Sequence, residues 1–261
     1  MKRIPLEITL KDYPEQYHEL LFGADVYDSS CSPEARVIFI DKDCGYYLKS
    51  SKKNTLSTEA SLAEYFCKKG LTEPVLSYLS LDRDWMLTKR VKGEDCTYAR
   101  YLDDPKRLCD TTATLLRELH GKDCSDCPVK DRMLGYKATV AENHASGRAD
   151  LSLFCGEWGF SSIENAWQVY CDGRGALKSD TLLHGDYCLP NIMLDDWRFS
   201  GFIDLGNGGV GDRHVDIFWG VWTLFYNLKT HKYADRFLDA YGREAVDRDA
   251  LMAIAAAEVF S

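Results

Sequence analysis

The sequence predicts an α+β fold in two lobes: a small, antiparallel, β-rich N-terminal lobe carrying one helix, then a larger, mostly helical C-terminal lobe. Two observations carry this. Short β-rich runs bounded by turn residues fill the N-terminal third. After Lys92-Gly93 the apolar spacing changes to that of amphipathic helices. The 261 residues, 45% hydrophobic and 28% charged, show no internal repeat or low-complexity segment, and suffice for one large domain or two lobes.

In the first lobe, "ARVIFID" (35–41) and "GYYLKS" (45–50) read as a hairpin across the turn "KDCG". "STEASLAEYFCKKG" (57–70) reads as a helix with Ser57 as its N-cap and Gly70 as its stop. "VLSYLSL" and "WMLTKRV" flank "DRD" and give a second hairpin. The division expected is residues 1–91 and 92–261, with a short hinge near 89–93. The second lobe opens with "DPKRLCDTTATLLRELHG" (104–121), apolar at Leu108, Leu115, Leu116 and Leu119. Helical patterns recur near 131–146 and 161–171. "NIMLD" and "FSGFIDL" read as strands joined by "DWR", and residues 212–260 are aromatic and helical. A cleft between the lobes is the expected location of a small-molecule site.

The net charge of −9 argues against nucleic acid as a partner, since neutralising phosphates takes Lys and Arg, and it suits a cationic small molecule. No run of 18 apolar residues exists, so no membrane partner is expected. "MKRIPLEITLKDYPEQ" lacks an apolar signal region, which points to the cytoplasm. The ten cysteines are then expected to be free thiols. Cys124 and Cys127 form a Cys-x2-Cys near His120, but a closed zinc site needs four ligands and no second such pair exists. A monomer or weak dimer is expected.

The chemistry concentrates in "LLHGDYCLPNIMLDDWRFSGFIDLG" (182–206). Pro190 marks a loop, and the two strands after it return Asp204 toward Asn191. A carboxylate and a carboxamide oxygen suit Mg²⁺, whose shell phosphate and water complete. Asp186 is then free to orient an acceptor hydroxyl and take its proton. Asn or Asp alone would be explained by turn formation, but Asp204 in an apolar run needs a partner.

"HGDYCLPN" and "IDLG" resemble the catalytic and metal-binding loops of the protein-kinase-like superfamily. Within it they are most similar to the aminoglycoside phosphotransferases of the 3′ type, where His-Gly-Asp replaces the His-Arg-Asp of protein kinases. The similarity extends to "YYLKS", "STEASLAEYF", "LLRELHGKDCSDCPVKDR", "GFIDLGNGGVGDRHVDIFW" and the terminal "AAAEVFS". It implies a bilobal protein-kinase-like fold with a nucleotide-binding first lobe. Lys49 would contact the nucleotide phosphates, Glu59 would fix it, Tyr47 would stack on the base, and backbone groups near Lys89 and Val91 would read the base edge. Ser29 and Ser30 would lie in the loop over the phosphates, and Asp216 would be buried on the helix after the metal-binding loop. ATP or GTP would be the donor and Mg²⁺ the cofactor.

On the acceptor side the resemblance implies Glu157, Glu258, Asn207 and the end of the chain at Ser261. Asn207 stands where relatives usually carry Arg after "DLG", and Trp222 where they carry Arg on the next helix. The function implied is transfer of a γ-phosphoryl group to an aminoglycoside hydroxyl, and hence antibiotic resistance. The alternatives are a kinase of another hydroxylated metabolite or antibiotic, and a nucleotide-binding pseudokinase.

Overall fold

A computed structural model describes residues 3–150 and 158–261. In chain order the elements are β1 (Ile4–Pro5), α1 (His18–Leu21), β2 (Asp25–Asp28), β3 (Ala35–Asp41), β4 (Tyr46–Lys52), α2 (Ser57–Lys68), β5 (Val75–Ser80), β6 (Arg83–Lys89) and β7 (Glu94–Asp95). There follow α3 (Ala99–Leu102), α4 (Pro105–His120), α5 (Arg132–Ala145), α6 (Ile163–Gly173), β8 (Thr181–Leu183), β9 (Ile192–Asp195), β10 (Arg198–Phe202), β11 (Gly209–Gly211), α7 (His214–Leu228), α8 (Ala234–Tyr241) and α9 (Arg248–Glu258). The chain forms two compact units, Met1–Asp95 with Met193–Gly206, and Cys96–Ile192 with Asn207–Ser261.

The first unit is built on an antiparallel sheet of order β1-β2-β3-β4-β6-β5. Ile38, Ile40, Leu48, Trp85 and Leu87 bury one face of it under Tyr13, Tyr17 and Leu21. Complete burial of each such side chain contributes about 1.5–3 kcal/mol. On β4, Leu48 faces this core, so by the period of two Tyr47 and Lys49 share the opposite face. Helix α2 covers that face, with Ala60 and Leu56 on Met86, the residue paired with Lys49 in the ladder. Ser57 was expected to cap α2. It is instead the first helical residue, and the capping position is Leu56, whose N–H is taken by the buried Asp84 carboxylate of β6 at 2.9 Å.

The division at residue 91 leaves out Met193–Gly206, which packs with the first unit. Pairing explains why. β9 pairs with β7 (Glu94 with Leu194, Asp95 with Met193), while Phe202 N–H donates to Leu71 O and Thr72 Oγ1 donates to Phe202 O. Asp196 and Trp197 form the two-residue turn of the β9–β10 hairpin, both at positive φ, the conformation that matches strand twist. β10 ends at Phe202, earlier than the sequence pattern suggests, and Asp204 lies beyond it in the left-handed region at φ 58°.

In the second unit α4 starts at Pro105 behind Asp104, whose carboxylate accepts from Arg107 N–H, and it buries Leu108, Thr112, Leu116 and Leu119 along one stripe. α5, α6 and α9 are capped in the same way by Asp131, Ser162 and Asp247. Close packing sets two glycines: a Cβ at Gly173 would lie 2.7 Å from the Ala253 side chain, and one at Gly220 would lie 2.5 Å from Phe237. β8 and β11 pair as a two-stranded antiparallel ribbon.

His120 at the end of α4 does not join Cys124 and Cys127. Its Nε2 is 3.1 Å from Asp216 and its Nδ1 is 2.9 Å from the Tyr241 hydroxyl. Among the described residues the cysteines are unbridged, and no group of three or more His, Cys, Asp or Glu is arranged to hold a metal. No described helix is long and apolar enough to cross a membrane.

Candidate active site

The first unit holds a three-membered ion cluster. Lys49 Nζ lies 2.9 and 2.8 Å from the two Glu59 carboxylate oxygens and 2.8 Å from Asp204 Oδ1. β4 supplies the lysine, α2 the glutamate, and the turn after β10 the aspartate, whose left-handed backbone directs its side chain back to Lys49. Burial opposes charge on Lys49, but the two carboxylates outweigh it and hold its pKa above the ordinary lysine value. Burial raises the Glu59 pKa against the pull of Lys49, since one ammonium serves two carboxylates. Asp204 is the exposed member, its side chain 54% accessible. A half-buried ammonium tied to a glutamate and next to an exposed carboxylate is equipped to receive anionic oxygens and a cation together.

The other nucleotide candidates are all in this unit. Tyr47 shares the face of Lys49 and packs on Phe39, with ring centroids 5.1 Å apart. Ser29 is buried. The Ser30 hydroxyl accepts from Val37 N–H at 3.0 Å, which ties the loop after β2 to β3. Lys89 is 3.5 Å from Glu73, and its N–H donates to Pro74 O at 3.3 Å, while Arg90 N–H donates to Gly45 O at 3.0 Å. Those two amides are therefore engaged within the sheet, and Val91 beside them is buried.

The second unit holds the His-Gly-Asp loop, fixed from below. Asp216, fully buried on α7, accepts from His184 N–H at 2.7 Å and from Gly185 N–H at 2.8 Å. Two amides and His120 thus satisfy a carboxylate that would otherwise be costly to bury. Gly185 has φ +84°, and a Cβ there would lie 1.9 Å from Asn207 O, so no other residue fits. Tyr187 anchors the far side by donating to Thr112 O at 2.8 Å. This leaves Asp186 half-buried and aimed by Asn191, whose Nδ2 donates to Asp186 Oδ2 at 2.9 Å and to Asp186 O at 3.0 Å. With the Asn191 nitrogen committed, its Oδ1 is the atom offered elsewhere. That oxygen is a hard donor of the type Mg²⁺ takes, and so, in the first unit, is the Asp204 carboxylate.

Asp186 lines a cavity of about 510 Å³ together with Arg132, Tyr136, Asn207, Trp219, Glu258 and Ser261. Three of the acceptor-side residues inferred from sequence (Asn207, Glu258 and Ser261) therefore meet Asp186 here, while Glu157 lies outside the described residues. Glu258 is buried, accepting from Tyr136 Oη at 2.8 Å and Ser261 Oγ at 2.6 Å. Burial pushes its pKa up to about 7, the hydroxyls pull it down, and the Asp186 charge adds to the rise. Asn207 accepts from Arg132 at 2.7 Å. Arg132, Tyr136 and Trp219 escaped the sequence reading. The "KDR" basic segment is the one signal for Arg132, and nothing in the sequence singles out the other two.

A profile described as "Phosphotransferase enzyme family" matches residues 36–254. The chain is 47% identical over 256 residues to the "Probable aminoglycoside 3′-phosphotransferase" of Lactococcus lactis subsp. lactis (strain IL1403), covering 98% of this chain and 97% of that one. Among solved structures, an aminoglycoside-3′-phosphotransferase of type VIII superposes with a TM-score of 0.76 at 23% identity, over 96% of each chain. The aminoglycoside phosphotransferase APH(3″)-Id from Streptomyces rimosus ATCC10970, in complex with ADP and streptomycin, superposes with a TM-score of 0.67 at 20% identity, over 86% of this chain and 90% of that one. With the profile spanning most of the sequence and the kinase-like fold shared, the chain belongs to the phosphotransferase enzyme family.

Proposed function

We propose that this phosphotransferase moves the γ-phosphoryl group of a nucleoside triphosphate to a hydroxyl of an aminoglycoside. The observation that carries the reading is Asp186, fixed by Asn191 and Asp216, on the wall of a cavity that also holds Glu258. The 47% identity to the Lactococcus lactis protein supports the acceptor class, and the ADP held by the Streptomyces rimosus enzyme supports the donor.

In the reaction the bond from the γ-phosphorus to the β–γ bridging oxygen breaks, and the acceptor oxygen forms the new one. The hydroxyl proton passes to an Asp186 carboxylate oxygen, and the nucleoside diphosphate leaves. Asn191 holds the other side of that carboxylate, so Asp186 meets the hydroxyl in one orientation. Lys49, kept charged by Glu59, binds donor phosphate oxygens, with Tyr47 against the base, Ser29 and Ser30 in the covering loop, and Lys89 to Val91 at its edge. Asn191 and Asp204 would hold Mg²⁺, which when bound offsets charge on the phosphates. Glu258, Asn207 and Ser261 meet the acceptor.

The test is a panel of aminoglycosides and other hydroxylated antibiotics with ATP and GTP, followed by coupled detection of the diphosphate. Turnover of kanamycin-type compounds supports the reading. Absence of turnover across the aminoglycosides, with another hydroxylated compound consumed, overturns it.

A further inference from the structure

A cationic side chain lines the acceptor cavity. Arg132 is the first residue of α5, and its guanidinium lines the cavity with Asp186. The acid beside it in sequence has other partners: Asp131 Oδ1 accepts from Leu134 N–H at 3.2 Å and from the Ser179 hydroxyl at 2.7 Å. Among the described residues Arg132 pairs with no carboxylate, and its hydrogen bond runs to the neutral Asn207 Oδ1 at 2.7 Å. Burial lowers its pKa from the ordinary arginine value, as for a cation that has lost water without gaining an anion.

A guanidinium carries five N–H donors in a fixed plane, so one bond to Asn207 orients the group and leaves donors for a ligand. The backbone carbonyl of Asn207 abuts Gly185, the residue before Asp186. The arginine is therefore fixed to a point one residue from the group that handles the acceptor hydroxyl. It can donate to a hydroxyl or ether oxygen there, whereas an ammonium in the same place meets a like charge. Glu258 lies on the same wall, with a hydroxyl already donating to each of its carboxylate oxygens.

We infer that Arg132, held by Asn207, is a specificity-determining residue: it receives an oxygen substituent next to the reacting hydroxyl and rejects an amine at that position. This rests on the aminoglycoside reading and narrows it to acceptors bearing a hydroxyl on the neighbouring carbon.

Kanamycin A and kanamycin B form a matched pair, differing by a hydroxyl or an amine on the carbon next to the 3′-hydroxyl. Their kcat/KM ratio is measured at pH 6.5, where the amine is charged, for the intact protein, Arg132→Gln and Asn207→Leu, with melting curves to verify folding. The intact protein is expected to favour the hydroxyl compound by roughly tenfold or more. Arg132→Gln is expected to bring the ratio near unity, chiefly by improving the amine compound. Asn207→Leu leaves the guanidinium untethered, so the ratio should fall part of the way even if Arg132→Gln does not fold. A ratio near unity in the intact protein, or one unchanged in the folded variants, overturns the inference while leaving the aminoglycoside reading intact. Failure to phosphorylate either compound overturns both.

Discussion

The carboxamide nitrogen of Asn191 donates simultaneously to the side chain and the backbone carbonyl of Asp186, at 2.9 and 3.0 Å. One group thus fixes both the position of the loop and the rotation of its carboxylate. Asn191→Ala removes both bonds and, in the proposed function, a donor for Mg²⁺. It is expected to lower kcat by about 10²-fold or more, in the range for losing one positioned catalytic contact, and to raise the magnesium concentration needed for half-maximal rate. Steady-state diphosphate release across a magnesium titration checks this, and a kcat within threefold of the intact protein would count against it.

Lys49 and Glu59 act on the donor side alone in this account. Lys49→Met is expected to raise KM for the nucleotide at least about tenfold while KM for the acceptor stays within twofold, since the lost contact is to phosphate. Glu59→Gln keeps the shape of the partner and should have a smaller effect of the same kind. Two-substrate initial-rate kinetics separate the two constants, and an equal rise in both would show that the cluster supports the fold rather than the nucleotide.

Asp216 is a positioning residue for the loop that carries Asp186. Asp216→Ala strands the His184 and Gly185 amides and removes the partner of His120, at a cost of about 3 kcal/mol. His120→Phe spares both amide bonds and should cost about 1 kcal/mol. Urea unfolding measures both, and equal losses would contradict the view that Asp216 is the centre of the network.

Glu258 links stability to pH. Its folded pKa of about 7 lies above the ordinary 4.5, so the folded chain binds more protons than the unfolded chain between those values. Stability therefore falls as pH rises through that window; the penalty is absent below about 4.5 and complete, at about 3 kcal/mol, above 7. Glu258→Gln cannot ionise and should lose this component, so that its unfolding free energies at pH 5 and pH 8 differ by about 2.5 kcal/mol less than those of the intact protein. An unchanged pH dependence would mean that the carboxyl is not held in this burial.

Asp186 and Asn191 were legible in a short pattern whose chemistry is local, the asparagine standing five positions after the aspartate, whereas Lys49 and Glu59 were implied by the family resemblance and not by their spacing. Hairpin and helix positions followed from apolar period and turn residues, which is why β3, β4 and α4 fall within a residue or two of expectation. What escaped depends on distant pairing. The Met193–Gly206 segment packs with the first unit because Glu94, Asp95 and Leu71 supply its backbone partners, and no local pattern encodes that. Asp204 was expected in a strand, but a left-handed turn directs it to Lys49. Arg132 and Tyr136 reach the cavity from a helix some fifty residues before Asp186, and Trp219 from one well after it, so neither period nor spacing marks them.

In the proposed reaction Asp186 takes the proton of an aminoglycoside hydroxyl as phosphate is transferred. This step is tested most directly by mass spectrometry of kanamycin A after incubation with ATP, Mg²⁺ and either the intact protein or Asp186→Ala, with the diphosphate quantified in the same samples. The expected result is one phosphate added per molecule, matched by one diphosphate, with the rate in the variant lower by about 10³-fold or more. Unmodified kanamycin A in the presence of the intact protein, or equal rates with and without the Asp186 carboxylate, would contradict it.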